Sequence, residues 1–375
     1  MTEIEDRLRD AYTAATSTVR PEALRPLTAP PARRARSLWA IPVAVAAAVA
    51  LIVTGAVLLG SEEQKYRTDP AAAAGAPAYA VALVDKGEDK PYRAVVLSTA
   101  TGRQVATIAG AYLQASVAAA GDRRTFFLTS RVGDCATRIY RVRIRGDGSV
   151  TSPEALPGAP IPADGGEGHG LAASPDGRRV AFGGDCGDLG RLVVVDTETG
   201  RQQVWTSQTG DPADRGVKQP TWAPDGRTVG FRYHAPPNGE LRLLDTDHAP
   251  TGDLLTESRV LRSQDMTKDL RNGHFEDGQI ESFIFNPDGS LTAIVQRTNH
   301  SSGDDQFGLI RLTAAGVPTG HADWLPSSAL VFYLRVDPSG EHFLGGEGGR
   351  IARVDNGRFS WLHRPSEPYY YDVAW

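Results

Sequence analysis

The sequence predicts an all-β domain that follows a single transmembrane helix, and three observations support this prediction. A run of 23 residues without a charge extends from Leu38 to Gly60. From Tyr79 onward, short apolar stretches alternate with turns rich in Gly, Pro and Asp, and no long amphipathic pattern occurs. One unit of two apolar stretches and a turn recurs along the rest of the chain, which indicates a repeat architecture.

The overall composition excludes several classes of protein. The 375 residues include 41% hydrophobic residues, 40 Gly, 25 Pro and two Cys, which is typical of a globular chain and not of a collagen, a disulfide-dense domain or a disordered protein. The formal net charge of -5 argues against a nucleic-acid-binding surface, which needs an excess of basic residues. Of the 40 basic residues 35 are Arg, and with the abundant Ala, Gly and Pro this indicates a high-GC bacterium such as an actinobacterium.

The apolar run of residues 38–60 is long enough to cross a bilayer as a helix, which takes about 20 residues. A buried core helix would be amphipathic or shorter, and a cleaved signal peptide has a shorter apolar region. Seven Arg occur in residues 1–37, three of them next to the apolar run, whereas Glu62 and Glu63 follow it. Because basic residues remain on the cytoplasmic side, we predict an uncleaved single-pass anchor in the cell membrane. Its N-terminus is cytoplasmic and its C-terminal domain is extracytoplasmic.

The predicted cytoplasmic tail, residues 1–37, suggests an alternative function. Thr2 and Glu5 fit a capping box, and the apolar residues of the segment 2–16 fall on one helical face. The tail resembles the cytoplasmic segment of membrane-bound, anti-sigma-like regulators of actinobacteria, and this resemblance implies a transmembrane signalling regulator. However, the tail has no Cys or His for the zinc site of many such regulators, and a tail that only sets topology is the other interpretation.

A hairpin with a Pro-Asp-Gly turn recurs in the exported domain, residues 78–375, which follows an Ala- and Pro-rich linker at residues 61–77. The copies read GLAASPDGRRVAF at 170–182, PTWAPDGRTVGF at 220–231, SFIFNPDGSLTAIV at 282–295 and YLRVDPSGEHFLGG at 333–346, with a weaker copy, SVAAAGDRRTFFL, at 116–128. Pro restricts one turn dihedral and Gly adopts the positive φ that the turn requires. A further pair of strands with a Thr-Gly turn follows, as in RLVVVDTETGRQQVWT at 191–206, and completes a four-stranded antiparallel sheet.

Four-stranded units repeated at about 50 residues are typical of β-propeller blades. Inner strands are predicted to begin near Ser116, Gly170, Pro220, Ser282 and Val331, with a sixth at residues 371–375. The first unit, residues 79–108, has three outer strands and no inner one, so we expect the C-terminal strand to complete it and remove two open sheet edges. The sequence therefore predicts a six-bladed β-propeller, with seven blades as the alternative.

These units resemble the repeats of TolB-like and WD-repeat-like β-propellers. Their core reads Ser-Pro-Asp-Gly-x-x-hydrophobic-Ala-Phe, followed by Val-x-Asp-x-x-x-Gly. Residues 174–182 and 195–200 match closely, the units near Gly226 and Gly289 match fairly, and those near residues 121 and 340 match loosely. The resemblance covers most of residues 78–375 and implies the fold. It implies no function, because the same repeat occurs in scaffolds, receptors and propeller-bearing hydrolases.

Both cysteines belong to the predicted exported domain. Cys135 and Cys186 each follow Gly-Asp and lie between the second and third strands of adjacent units. Equivalent loops of neighbouring blades lie on one face, and an extracytoplasmic compartment is oxidising, so we predict a Cys135–Cys186 disulfide. A pair of buried free thiols is the alternative. A metal site is disfavoured because no Cys-x-x-Cys or neighbouring His completes a ligand set.

No catalytic motif occurs in the chain. A Gly-x-Ser-x-Gly elbow, a phosphate-binding loop and a His-Glu-x-x-His helix are all missing, and the eight His are scattered. Asp245, Asp247 and His248 suggest a cation loop, but Asp is ordinary in a turn after a third strand, and the spacing of a calcium-binding hand is not met. The sequence therefore predicts no catalytic residue, no metal site, no cofactor and no enzymatic activity.

Long loops are expected at residues 254–279 and 299–308, where either binding specificity or a plain surface excursion fits. The aromatic residues near the C-terminus suggest a carbohydrate platform or, more simply, packing between blades; they are Trp361, Tyr369, Tyr370, Tyr371 and Trp375. We therefore expect a membrane-anchored, non-enzymatic propeller that binds a protein or cell-envelope ligand and no nucleic acid. The alternatives are the signalling regulator and a propeller enzyme of the lactonase or lyase type.

Overall fold

The computed structural model describes the greater part of the chain from Ala76 to Trp375. The described ranges are 76–85, 90–110, 112, 115–163, 170–208, 216–233, 239–248, 251–266, 275–299, 305–325, 333–337, 339–347, 350–355, 358–362 and 370–375. The chain divides into two compact units, residues 1–64 and 65–375, and every described residue belongs to the second. The predicted tail and transmembrane helix, residues 1–37 and 38–60, lie outside the described residues. Within the described ranges, no helix has the length and apolar character needed to span a membrane.

The described chain folds into short strands. In chain order these are β1 (Tyr79–Val84), β2 (Arg93–Ser98), β3 (Gln104–Thr107), β4 (Val117–Ala119), β5 (Thr125–Gly133), β6 (Ala136–Arg143), β7 (Glu154–Ala155), β8 (Leu171–Ala173), β9 (Arg179–Cys186), β10 (Leu189–Asp196), β11 (Gln202–Gln208), β12 (Val217–Trp222), β13 (Thr228–Tyr233), β14 (Glu240–Asp245), β15 (Thr251–Asp253), β16 (Ser258–Ser263), β17 (Phe275–Phe285), β18 (Leu291–Asn299), β19 (Asp305–Leu312), β20 (Asp323–Trp324), β21 (Tyr333–Val336), β22 (His342–Glu347), β23 (Arg350–Asp355), β24 (Arg358–Trp361) and β25 (Tyr370–Ala374). A four-residue helix, α1 (Leu254–Glu257), precedes β16.

These strands form six sheets, which are the six blades of a propeller. Blade 1 has the order β25-β1-β2-β3, blade 2 is β4 to β7, blade 3 is β8 to β11, blade 4 is β12-β13-β14-β16, blade 5 is β17 to β20 and blade 6 is β21 to β24. The predicted all-β, six-bladed architecture is confirmed over the described ranges, and the seven-blade alternative is wrong.

The C-terminal strand closes the ring as predicted. Strand β25 pairs antiparallel with β1, with Val81 opposite Ala374 and Ala82 opposite Val373. Blade 1 is therefore assembled from the two ends of the described chain.

The hydrophobic core consists of six clusters among the described residues, one between each pair of adjacent blades. Side chains alternate between the two faces of a strand. In β5, Phe126 and Leu128 pack toward blade 1, whereas Phe127 packs toward blade 3. Both faces of a blade are buried in this way, which explains why its second and third strands are continuous apolar runs such as VVV at 193–195.

The turns that join first to second strands have the predicted chemistry. In blade 3 the Gly177 amide donates to the Ser174 carbonyl at 2.8 Å, and the Arg178 amide donates to Asp176 Oδ1 at 3.0 Å. Gly177 has a φ of 69°, which favours glycine. In the weaker copy of blade 2, Arg123 takes the glycine position with a φ of 58°.

The prediction of one long loop over residues 254–279 is wrong at both ends. Residues 254–263 form α1 and then β16, which is the outer strand of blade 4, and β17 begins at Phe275. The segment lacked a strand signal because β16 lies at the blade edge and only Ser258 is buried along it. Similarly, residues 305–308 of the second expected loop already belong to β19.

Blade 3 also gains a strand that the sequence did not predict. Strand β15, from the connection between β14 and β16 of blade 4, pairs in parallel with β11 and places Val204 opposite Thr251. Asp253 then caps α1, since its Oδ1 accepts from the Thr256 amide at 2.8 Å. The open edge of blade 3 is thus covered by its neighbour.

Candidate functional site

The two faces of the propeller carry different connections. The turns from first to second strands lie at one end of the blades, and we call this end the turn face; it includes the turns around Asp122, Asp176, Asp225, Asp288 and Asp337. The connections from second to third strands lie at the opposite face, because the second strand runs across the blade. Cys135 lies in this connection of blade 2, and Cys186, the last residue of β9, lies at the start of the equivalent connection of blade 3.

A cavity of about 270 Å³ lies at the centre of the turn face. Its walls come from the inner strands of blades 2 to 6 and from the residue that follows the inner strand of blade 1. The lining residues are Ala118–Gly121, Leu171–Ala173, Pro175, Pro220–Trp222, Pro224, Ile284–Pro287, Leu334–Asp337 and Trp375. The inner strands converge here, so the cavity wall includes residues of blades 2 to 6 and Trp375, which follows the inner strand of blade 1.

The cavity wall is mostly apolar, and the neutral polar side chains of Asn286 and Thr221 already have partners. The side-chain Nδ2 of Asn286 donates to Ser290 Oγ at 2.9 Å, and the Asn286 Oδ1 accepts from Thr292 Oγ1 at 3.1 Å. Thr221 Oγ1 accepts from the Phe285 amide at 3.5 Å. These groups stabilise the wall and leave little hydrogen-bonding capacity for a ligand.

One charged group of the wall, Arg335, belongs to a buried network that connects three blades. Its Nη2 donates to Asp372 Oδ1 at 3.2 Å, and Asp372 Oδ2 accepts from the Val117 amide at 2.9 Å. Arg335 belongs to blade 6, Asp372 to blade 1 and Val117 to blade 2. Burial raises the pKa of Asp372, and the charge of Arg335 opposes this effect.

A second charged pair spans the position where blade 1 has no turn. Arg123 of blade 2 contacts Asp337 of blade 6, with 3.3 Å between Nη2 and Oδ2. The Asp337 side chain is fully buried and also accepts from Ser339 Oγ at 2.7 Å and from the His342 amide at 3.1 Å. The negative charge of the buried Asp337 carboxylate is therefore balanced by groups within the protein.

Trp375 completes the wall beside this pair. Its side chain is buried, and its Nε1 has no hydrogen-bond partner among the described residues. The His342 ring lies edge-on to it, with ring centroids 6.3 Å apart, and His342 Nδ1 lies 2.8 Å from Asp355 Oδ1. The indole thus packs between the cavity and a polar cluster of blade 6.

Grooves between blades on the same face are polar and differ from the central cavity. A groove of about 370 Å³ between blades 2 and 3 contains the Arg141–Glu198 ion pair at 2.9 Å. A groove of about 510 Å³ between blades 3 and 4 contains the Arg179–Asp247 pair at 2.8 Å. Opposite charges balance in both grooves, so neither is a focused site for a charged ligand.

The structure joins the two predicted site residues. Cys135 and Cys186 form a disulfide with a Cα–Cα distance of 5.3 Å, so the free-thiol alternative is wrong. Both cysteines are half-buried and lie on the face opposite the cavity. The disulfide links blades 2 and 3 and does not touch the central site.

The suggested cation loop of Asp245, Asp247 and His248 is an ordinary turn. In the suggested cation loop, Asp245 Oδ1 accepts from the Asp247 amide at 3.1 Å, which is turn chemistry. Within the described ranges, no group of three or more His, Cys, Asp or Glu side chains could hold a metal ion.

The C-terminal aromatic residues mostly pack between blades, as in the simpler interpretation. Tyr370 and Trp375 belong to the cluster between blades 6 and 1, and Tyr371 stacks on Tyr92 with ring centroids 4.6 Å apart. Trp361 packs edge-on against Phe359, while Tyr369 lies outside the described residues. Trp375 has a second role as part of the cavity wall.

Sequence reasoning missed the central cavity. Part of its signal is the small residues and prolines at the ends of some inner strands, as in VAAAG at 117–121 and AASP at 172–175. Small side chains at the propeller axis leave space that large ones would fill. The pattern becomes meaningful only when the strands are known to converge.

No family model matches this chain, and no curated protein matches it. Among solved structures, TolB from Acinetobacter baumannii is similar, with a TM-score of 0.52 and 15% identity over 80% of this chain. The chain covers 66% of that TolB, slightly less than two thirds of its length. A structure assigned to TolB in Agrobacterium tumefaciens has a TM-score of 0.44 and 15% identity, and the match covers 77% of this chain and 90% of that one. A structure assigned to a 6-phosphogluconolactonase in Bacteroides uniformis has a TM-score of 0.46 and 13% identity, and the match covers 79% of this chain and 98% of that one. At such low identity the similarity to the first structure concerns the fold alone. The described part of the chain has a TolB-like β-propeller fold of six blades.

Proposed function

We propose that this protein is a membrane-anchored, extracytoplasmic propeller that acts as a non-enzymatic scaffold for a protein or cell-envelope ligand. The observation that carries the proposal is the preformed apolar cavity at the centre of the turn face. A concave apolar site with a few fixed polar groups is the usual form of a binding site.

Membrane anchoring and export are supported by the sequence and by the disulfide. The charge-free run of residues 38–60, with basic residues before it and acidic ones after it, has the pattern of an inside-to-outside anchor. The Cys135–Cys186 disulfide suits an oxidising compartment.

Binding is favoured over catalysis by the chemistry of the wall. Among the described lining residues there is no Ser, Cys, His, Lys or Tyr, and Asp337 is the sole carboxylic acid. Arg123, Ser339 and the His342 amide already engage this carboxylate. A nucleophile with an adjacent base, or a pair of carboxyl groups, is the arrangement that hydrolases use, and these walls do not supply it.

Photo-crosslinking in the native cells tests the binding proposal. A photoreactive residue at position 224, at the cavity rim, should capture an envelope component, whereas the same residue at position 136, on the opposite face, should not. Position 224 lies in a turn and position 136 is the first residue of β6, directly after a turn, so the pair controls for nonspecific surface contact. Equal capture at the two positions, or none at position 224, would contradict binding at the turn face.

Two further measurements address the other functions. Turnover of lactones or uronate polymers by the purified protein would contradict a non-enzymatic role. Specific capture of a cytosolic protein by residues 1–37 would instead support the signalling regulator.

A further inference from the structure

We infer that the occupant of the central cavity is an uncharged aliphatic chain, namely the end of a lipid acyl or prenyl chain. This inference rests on the proposed function, because it names the ligand class of the same site. It follows from the polarity, the charge and the size of the cavity.

The polarity of the wall disfavours ligands rich in hydroxyl or amide groups. The side chains of Asn286 and Thr221 are engaged within the protein. A buried polar group without a hydrogen-bond partner loses free energy relative to water. The indole N–H of Trp375 has no partner among the described residues and could replace one such bond. A sugar or a polar peptide segment would therefore lose most of its hydration without replacement, whereas a hydrocarbon chain has no such hydrogen bonds to lose.

The charge of the wall disfavours a charged ligand. Arg335 is paired with the buried Asp372, and Asp337 is paired with Arg123. A ligand carboxylate or phosphate would have to compete with an intramolecular carboxylate for each guanidinium, and a cation would have to displace one. The occupant of the cavity is therefore neutral, and any charged headgroup stays in solvent.

The size of the cavity favours a chain over a single side chain. An engineered apolar cavity of about 150 Å³ binds benzene, and the central cavity is larger, at about 270 Å³. One aromatic side chain of a partner protein would leave part of the space empty. A flexible chain can fill an irregular space, and each buried CH₂ adds to its affinity.

Two tryptophans of the wall, Trp222 and Trp375, provide a direct readout. Bromine quenches indole fluorescence on contact, so a bromoalkanol of medium chain length is a suitable probe. The experiment uses the full chain in lipid nanodiscs, with Trp39→Phe to remove the tryptophan of the predicted anchor. We expect saturable quenching that unbrominated alkanol reverses, and a loss of most of the signal in the Trp222→Phe/Trp375→Phe variant.

Variants that fill the cavity test its location. Ala119→Leu and Ala173→Leu each add methyl groups to the wall and should raise the half-quenching concentration about tenfold by displacing chain CH₂ groups. Ala106→Leu, on the outer strand of blade 1, is the matched control and should leave it unchanged. Two filling variants are used so that a folding defect in one of them, visible in its thermal melt, does not decide the outcome. A bromoalkanoate of the same chain length serves as the anionic probe, and it should bind no more tightly than the neutral bromoalkanol.

Several outcomes would overturn the inference. Nonsaturable quenching, equal binding to the filling variants, or tighter binding of the anionic probe would each contradict a neutral aliphatic occupant. Displacement of the probe by a blocked apolar peptide at lower concentrations than by alkanol would identify a protein side chain as the occupant. In these cases crosslinking from position 224 would still test the proposed binding function, so the two failures are distinguishable.

Discussion

Blade 1 and blade 3 have the same four-stranded core but opposite origins. Blade 3 is continuous, because its inner strand β8 passes through the Ser174–Gly177 turn into β9. Blade 1 takes its inner strand from residues 370–374 and its other strands from residues 79–107. The inner strand of blade 3 is thus supplied by chain continuity, whereas that of blade 1 is supplied by ring closure.

The difference has a consequence at the turn face. Blade 3 contributes a turn to the cavity rim, whereas blade 1 cannot, since no chain leads from β25 into β1. The Arg123–Asp337 pair spans this position, and Trp375 occupies the wall next to it. Below them Asp372 connects β25 to both neighbouring blades. Blade 1 is thus held by long-range contacts where blade 3 is held by local ones.

Deleting residues 366–375 should have the largest effect on the protein. The deletion removes β25 with its buried side chains Tyr370 and Val373, removes the buried Trp375 that follows it, and exposes the edge of β1 that β25 covered. We expect a loss of about 5 kcal/mol or more, comparable with the total stability of a domain. The thermal melt of the full chain measures it. A synthetic peptide of residues 366–375 added in trans should restore part of the melting temperature and a scrambled peptide should not. An unchanged melting temperature would show that blade 1 needs no closure.

Removing the disulfide that links blades 2 and 3 should have the next largest effect. The Cys135→Ser/Cys186→Ser variant loses a crosslink with a sequence separation of 51 residues. Chain-entropy arguments predict a destabilisation of about 4 kcal/mol for such a loop. Urea unfolding with and without reductant measures it, and reductant should not affect the variant. Since the disulfide is on the far face, binding at the cavity should persist in the folded variant.

Replacing Arg335 tests the buried connection of blade 1. Arg335→Met leaves Asp372 without its counter-charge, and breaking a buried pair in this way costs about 3 kcal/mol. Because burial raises the pKa of Asp372, its charged form is disfavoured in the folded protein. The destabilisation should therefore be largest near neutral pH and decrease as the pH falls and the carboxyl group gains a proton. Urea midpoints at several pH values measure it, and a pH-independent loss would contradict this explanation.

Replacing a turn glycine of a continuous blade should lower the stability of the protein by a smaller amount. Gly226 of blade 4 has a φ of 67° with no atom near an added Cβ, so Gly226→Ala costs only the backbone strain, about 1 kcal/mol. Gly146 also has open space but does not have a positive φ, and Gly146→Ala is the matched control. Equal effects of the two substitutions on the urea midpoint would contradict the requirement for a left-handed residue.

Hydrogen bonds in the turns of the continuous blades also predict a dependence on pH. Hydrogen bonds from the amide and hydroxyl groups of Thr199 lower the pKa of Asp196 in blade 3 below the ordinary value of 3.8 for an aspartate. Its folded pKa lies below the unfolded one, so this stabilisation is present above pH 3.8 and is lost as the pH falls. Asp196→Ala should therefore flatten the acid limb of the stability curve slightly, and an unchanged acid limb would contradict it.

Much of the fold could be predicted from the sequence because blades repeat local signals. The Pro-Asp-Gly turns mark the hairpins, and the doubly buried strands appear as apolar runs such as AVVL at 94–97. Counting inner strands against outer ones also predicted that residues 371–375 belong to the first blade, which the pairing of β25 with β1 confirms. The disulfide followed from the equivalence of two loops in adjacent repeats.

Edge strands and the candidate site could not be predicted in this way. Strand β16 has little buried surface, and β15 pairs with a strand of another blade, so neither has a local hydrophobic pattern. The cavity depends on which side chains of separate inner strands meet at the axis. Arg123 illustrates this: its place in the repeat suggests a degraded turn, yet its contact with Asp337 is on the far side of blade 1.

The sequence by itself determined the repeat and predicted six blades, the closing strand and the pairing of the two cysteines, because each depends on local patterns that recur. It left seven blades and free thiols open as alternatives, which the structure excludes for the described residues. Only the tertiary structure decided that Arg335 and Asp372 neutralise each other, that Trp375 lines a central cavity and that the disulfide lies on the opposite face. The physical reason is that these contacts join residues distant along the chain. Their proximity depends on how the inner strands of all six blades pack around one axis, and no single repeat contains that information.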